Sequence, residues 1–275
     1  MQWGKVKNIL IVILAAINVF LLGNLCMKQW QAWQRESELR AHLSTLLEGY
    51  GLALDPRFKL PGDAALPQLS LDRSRASEET VSAALLGDEL NRTEQEDGAV
   101  RLENDAGWLE WRADGSVSGE FKTENAPQTE KEAEKQTRRL LEKWGVRSED
   151  TTLTSEGLAV TASGRAAGMP VFNRALTFTF DGEGGVTLSG LWFFGTPYTT
   201  ARENSVVCVP SDALLEFAAA QEGCTSVRSM EAGYRLQSDS SRRLQLVPTW
   251  RIVTDGGEYL IDGAKKSIVT PQSAG

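Results

Sequence analysis

Polar and apolar positions divide the chain sharply at its first thirty residues. Ile9–Met27 reads ILIVILAAINVFLLGNLCM, with no charged residue. As a helix rising ~1.5 Å per residue it covers ~28 Å, about the hydrocarbon thickness of a bilayer. Trp3 precedes it, and Trp30 and Trp33 follow, at positions suited to the two interfaces. A cleaved signal peptide has a shorter apolar core and a small-residue cleavage site. A lipid anchor at Cys26 would want a small residue just before it, and Leu25 stands there. The pattern therefore predicts an uncleaved transmembrane helix, with Lys5 and Lys7 placing the N-terminus in the cytoplasm. Asn18 is the strongly polar side chain within the span. Leu14, Leu21, Leu22 and Leu25 share its face at helical spacing, making a candidate docking surface for another membrane helix. The alternative is an Asn18 amide bonded back to its own helix.

Beyond the span the period stays helical. Leu39, Leu43, Leu46, Leu47 and Tyr50 recur at three- and four-residue intervals, and Gly49 and Gly51 supply a stop. Residues 55–75, with Pro56, Pro61, Gly62 and Pro67, read as a connector. Three units of one helix followed by strands come next. The helices are expected at Ser77–Leu86, at Thr129–Trp144 with Thr129 and Glu132 as a capping box, and at Asp212–Glu222. Strands are expected near 99–103, 107–113, 117–122, 151–162, 171–180, 186–194, 226–237, 244–253, 258–261 and 267–269. Asp114-Gly115, Asp181–Gly185, Asp255-Gly256-Gly257 and Asp262-Gly263 mark turns. Strands that follow one another through tight turns make antiparallel sheets, so the fold class is α+β: a single N-terminal transmembrane helix, then antiparallel sheets packed with helices, in two similar lobes if the last two units repeat. The organisation expected is 1–8 cytoplasmic tail, 9–27 transmembrane helix, 28–51 stalk helix, 52–125 first extracytoplasmic α+β unit, and 126–275 a second region holding two helix-plus-strands units.

Charge narrows the function. The net charge is −8, and with Lys5 and Lys7 set aside 27 basic residues face 37 acidic ones. That balance argues against nucleic acid and against anionic lipid headgroups. Cys208 and Cys224 are either a disulfide or two small buried residues. The one histidine, His42, has no motif partners, and there is no GxSxG, HExxH, phosphate-binding loop or cysteine cluster. Neither a catalytic residue, a metal nor a cofactor is expected, and the chain reads as no enzyme. The carboxylates Glu94, Glu96, Asp97, Glu103, Asp105, Glu110 and Asp114 would suggest a glycosidase only if two of them faced each other across a sugar. Trp192, Phe194 and Trp250 are either sheet core or an exposed partner-binding patch.

Two stretches carry a family resemblance. Met1-Gln2-Trp3-Gly4-Lys5-Val6-Lys7-Asn8-Ile9, running into Ile17-Asn18-Val19-Phe20-Leu21, resembles the start of the YycI family, membrane-anchored regulators of Gram-positive bacteria. Pro248-Thr249-Trp250-Arg251-Ile252, Glu258-Tyr259-Leu260-Ile261-Asp262 and Ile268-Val269 are similar to the closing hairpin of YycI, YycH and PepSY-type domains. The resemblance implies association in the membrane with a sensor histidine kinase of the YycFG (WalRK) system and with a YycH-like protein, tuning a kinase that controls cell-wall homeostasis. The alternative is a stand-alone PepSY-like domain that binds a ligand or inhibits a protease.

Overall fold

The computed structural model describes residues 3–72, 74–195, 197–199, 205–220, 223–238 and 244–269. It begins with one uninterrupted helix, α1, Trp3–Glu48, of 46 residues, about 70 Å long. Expected span and expected stalk are thus a single rod. Among the described residues no helix is long and apolar enough to cross a membrane. The expected span at 9–27 is therefore not met by them, and several of its side chains, those of Leu25 and Cys26 included, lie outside them.

The α+β class holds. After α1 come β1 (Ala53–Leu54), β2 (Ala64–Pro67), β3 (Leu69–Leu71), α2 (Arg75–Leu86), β4 (Asn91–Glu94), β5 (Val100–Asn104), β6 (Gly107–Trp111) and β7 (Ser116–Lys122). Then follow α3 (Glu130–Lys143), a short 3-10 turn (Ser148–Asp150), β8 (Thr151–Glu156), β9 (Ala159–Ala166), β10 (Met169–Phe180) and β11 (Gly185–Leu191). The chain closes with β12 (Ser205–Cys208), α4 (Pro210–Ala220), β13 (Ser226–Ser238), β14 (Leu244–Thr254), β15 (Glu258–Asp262) and β16 (Ile268–Val269).

Fourteen strands form one sheet built of two antiparallel blocks. The large block runs β8-β9-β10-β11-β7-β6-β5-β4. Its inner face buries Leu109, Trp111, Val117, Leu176, Phe178 and Leu188 against Val81 of α2 and Leu140 and Leu141 of α3. The small block runs β13-β14-β15-β16, with β1 parallel to β13 and β3 antiparallel to β14. Its core joins Leu214 and Phe217 of α4 to Trp250, Ile252 and Ile261. The blocks meet where β10 runs parallel to β13 at Val171 and Tyr234. Pairing of β7 with β11, and of β1 and β3 with β13 and β14, crosses the boundary expected at residue 125.

Two differences from the sequence reading, and one proline inside a strand, have physical causes. The stretch 55–75 holds β2 and β3, whose partners β12 and β14 lie far along the chain. The strand expected over 151–162 is a hairpin, β8 and β9, turning at Gly157-Leu158. Pro248 lies inside β14, as the strand expected over 244–253 implies. Its carbonyl accepts from Gly263 N at 2.8 Å, so its ring nitrogen faces the same edge, in the gap between Leu246, the last β14 residue paired with β3, and Thr249, the first paired with β15. A missing N–H costs no ladder bond there.

The Asp114-Gly115 turn forms as expected. Gly115 has φ +87°, and a Cβ there would stand 1.9 Å from the Phe193 ring. Gly115→Ala is therefore expected to combine backbone strain with a clash that only a displaced Phe193 relieves, lowering stability by about 2–4 kcal/mol. Thermal unfolding of the variant checks this.

Candidate functional site at the helix junction

The face of α1 singled out in the sequence is exposed at Leu14, Asn18, Leu21 and Leu22. Asn18 Nδ2 donates to the Leu14 carbonyl at 3.0 Å. The amide thus has a partner on its own helix, leaving its carbonyl oxygen to accept from a second one. The Leu25 side chain lies outside the described residues.

The other end of α1 is tied into the small block. Leu43 and Leu47 are buried, and Leu47 lies in one cluster with Leu52, Phe58, Leu214, Phe217 and Trp250. The helix ends in a cap with two crossed hydrogen bonds: Gly51 N donates to Glu48 O at 3.0 Å and Leu52 N to Leu47 O at 3.0 Å. Gly51 takes φ +77°, the left-handed conformation this cap needs, and Leu52 packs back beside Leu47. Arg40 Nη2 donates to the carbonyls of Asp55 (3.2 Å) and Pro56 (3.0 Å), clamping the helix flank to the exiting chain. Ala53 N then donates to Thr225 O at 2.8 Å and Asp55 N to Val227 O at 2.9 Å, which starts β1 on β13. The link between rod and sheet, residues 49–52, is tied down at every backbone amide, Gly49 N to Leu46 O, Tyr50 N to Leu47 O, and the two cap bonds above. A rotation or tilt of α1 therefore acts on β13 and α4 directly.

Asp255, in the turn after β14, fastens the same corner. Its carboxylate accepts from the Thr225 hydroxyl at 2.6 Å and from the Thr225 and Ser226 amides at 3.0 Å each. These bonds, the hydroxyl's first, hold the carboxyl far below the usual carboxylate range. A depressed pKa contributes stability that is present above the ordinary value of about 4 and is lost as pH falls below it. Asp255→Asn is expected to destabilise at neutral pH and to flatten the fall in Tm between about pH 5 and pH 3. Melting curves across that range read the effect.

The aromatic residues proposed as a partner patch are core. Trp192 and Trp250 are each 1% exposed and Phe194 9%. Phe194 meets Trp111 and Trp144 edge-on at 5.7 and 5.9 Å, and Trp250 lies under α4 and α1 in the small block. The exposed-patch reading is corrected: Trp192 and Phe194 follow β11 and are buried together with Phe193 between them, so both sides of this segment are covered, and the Trp250 side of β14 packs under α4. Cys224 is buried in the same small-block core, and the Cys208 side chain lies outside the described residues.

Three of the dense carboxylates are placed in ion pairs, while Asp97 and Asp114 accept from the Ala99 and Ser116 amides in turns. Glu94 pairs with Arg75 and Arg92, Glu103 with Arg101 at 2.7 Å, and Glu110 with Arg112 at 3.1 Å while accepting from Gln95. His42 is exposed on α1. Among the described residues no group of three or more His, Cys, Asp and Glu side chains is placed to hold a metal. On the helix-free face of the large block an open groove of about 770 Å³ runs past Asn91, Glu103, Trp108, Glu120, Lys122 and Thr187. Arg101 covers the Trp108 ring at 4.2 Å.

Two neighbouring residues, one bonded across the join between the blocks and one buried beside it, escaped the sequence reading. Asn173 donates to Leu236 O at 2.7 Å and accepts from Leu236 N at 2.8 Å, so its side chain acts as a stretch of strand against β13. Arg174, next to it, is buried. The available signal was a polar pair interrupting an apolar strand, Val171-Phe172-Asn173-Arg174-Ala175-Leu176.

No protein-family model matches the chain, and no curated protein matches it. Solved structures do. An uncharacterized protein from Eubacterium rectale superposes with a TM-score of 0.51 at 10% identity, over 81% of this chain and 91% of that one. At such identity the likeness establishes a shared fold. YycH from Bacillus subtilis aligns with a TM-score of 0.47 at 12% identity, covering 75% of this chain and 55% of YycH. The C-terminal domain of YpeB from Bacillus megaterium aligns with a TM-score of 0.35 at 9% identity, covering 73% of this chain and 97% of that domain. These last two superpositions are too loose to carry an argument about function.

Proposed function

We propose that this chain is a non-catalytic, membrane-anchored regulator of the YycI type. Its α+β part stands outside the cytoplasm, and it modulates a sensor histidine kinase that controls cell-wall homeostasis, together with a YycH-like partner. The observation that carries the reading is the junction: a 46-residue rod whose last turns are built into the core of the small block. Such a rod couples what the outer sheet binds to what the other end of the helix touches. The apolar run Ile9–Met27, with Lys5 and Lys7 before it, supports a single span with the N-terminus in the cytoplasm. Asn18, Leu14, Leu21, Leu22 and Leu25 supply the face that would meet the kinase helix, where interhelical amide hydrogen bonds are worth ~0.6–2 kcal/mol. A partner shifts a two-state kinase only by its differential affinity for the two states.

The test is kinase autophosphorylation in vesicles holding the kinase and either the full chain or a version with residues 9–27 replaced by polyleucine. Both forms are anchored. A change in the phosphorylation rate with the native span, absent with the polyleucine span, is the expected result. Equal effects from both would place the active surface in the outer sheet, as a stand-alone PepSY-like binder requires.

A further inference from the structure

Arg174 is a cation buried without a counter-charge. It is 9% exposed, yet no carboxylate lies within ion-pair distance among the described residues. Its guanidinium donates from Nη2 to the Phe193 carbonyl at 3.0 Å, and its Nε is enclosed with no acceptor. The plane stacks on the Trp192 ring at 4.1 Å, and Trp192 Nε1 is also enclosed with no acceptor. Two orphaned N–H donors thus stand on stacked planes, one charged and one neutral. The stem lies on Gly164, where a Cβ would come within 2.7 Å of Arg174 Cδ, so that position leaves room for the arginine alone. Burial presses its pKa down to about 10. Asp150 acts on it at longer range but is bonded to Arg147 Nε at 2.8 Å.

A buried charge of this kind is costly, because the protein returns little of the hydration it loses. Stacking on the indole and one carbonyl bond offset part of that cost. What the surroundings lack is a negatively charged acceptor. A planar group with two oxygens matches the guanidinium fork.

The geometry points to Arg174, stacked on Trp192 at the join between the two blocks, as the receptor for a carboxylate carried by a small ligand. Arg174 sits in β10 beside Asn173, which clasps β13, so an anion bound there acts where the two blocks meet. Free acids and peptide C-termini share this chemistry, and the experiment separates them.

The full chain in detergent is titrated with acetate, with trialanine and with C-terminally amidated trialanine, at constant ionic strength set with chloride. The readout is the Nε–H resonance that disappears in Arg174→Lys. A saturating shift of that resonance with acetate and trialanine, and none with the amide, is expected for a site that takes any accessible carboxylate. A shift with acetate alone assigns the site to small free acids, and with trialanine alone to peptide C-termini. At about 100-fold over its Kd the ligand should raise Tm by roughly 5–10 °C. Arg174→Met removes the charge at similar volume. It should fold, melt no lower than the native chain, and lose every response to carboxylate. No shift from acetate or trialanine, an equal shift from the amide, or an undiminished thermal response in Arg174→Met overturns the proposal.

Discussion

Leu47→Ala is expected to cost about 3–5 kcal/mol of unfolding free energy, the upper part of the range for a buried leucine. Leu47 is fully buried between α1, α4 and the small sheet. It is also the residue whose carbonyl caps the helix through Leu52 N. Removing its side chain opens a cavity where three elements meet, and the capped turn above it is too constrained to settle into the space. Leu46→Ala, one position away and 52% exposed, is the control. It should change stability by no more than about 0.5 kcal/mol. Urea unfolding of the two variants reads the contrast. If the chain acts as proposed, the larger consequence is functional: with the junction loosened, α1 no longer reports the state of the sheet, so the proposed kinase modulation should fall before the fold does.

Asn173→Leu is expected to cost about 2–4 kcal/mol. The native side chain satisfies both the amide and the carbonyl of Leu236, at 2.8 and 2.7 Å, and Leu236 is itself buried. Leucine fits the volume and leaves both groups unpaired inside the protein. Asn173→Asp keeps the acceptor for the Leu236 amide but sets a carboxylate oxygen against its carbonyl, and an intermediate to equal loss follows. Hydrogen exchange at β13 separates this from a general loosening. Amides around Leu236 should exchange faster, while those of β7 and β6, three and four strands away from β13, keep their protection.

Much of the fold was legible where local chemistry decides. The capping box at α3 forms with Thr129 Oγ1 accepting from Glu132 N, while the Glu132 carboxylate reaches back to Gln128 N. At α2 the helix starts earlier than the expected Ser77, and its cap is Ser74: Ser74 Oγ accepts from both Ser77 N and the Ser77 hydroxyl, three residues on. The second half of β10 follows the alternation of its side chains from Arg174 to Phe180, whereas β14 is buried without a break from Leu246 to Trp250. The short strands do not show in the sequence, since two residues such as Ala53-Leu54 become a strand only because β13 lies beside them. Of the candidate residues, the α1 face rests on spacing alone, and the structure leaves it exposed at Leu14, Asn18, Leu21 and Leu22. The burial of Trp192, Phe194 and Trp250 was not legible, because a period of two does not say which faces will be covered. Arg174 was hidden for a related reason. A charged residue in a strand reads as solvent-facing, and only the glycine opposite it and the indole beneath it make an interior place for it.

Placing a photoreactive residue at position 18 of the full chain in its native membranes, and identifying the adduct by mass spectrometry, tests the regulator reading most directly. Recovery of a sensor histidine kinase or a YycH-like protein is the expected result, and it would put the contact on the face shared with Leu14, Leu21 and Leu22. Adducts with lipid alone would contradict it, leaving α1 as a tether and the outer sheet as the part that acts.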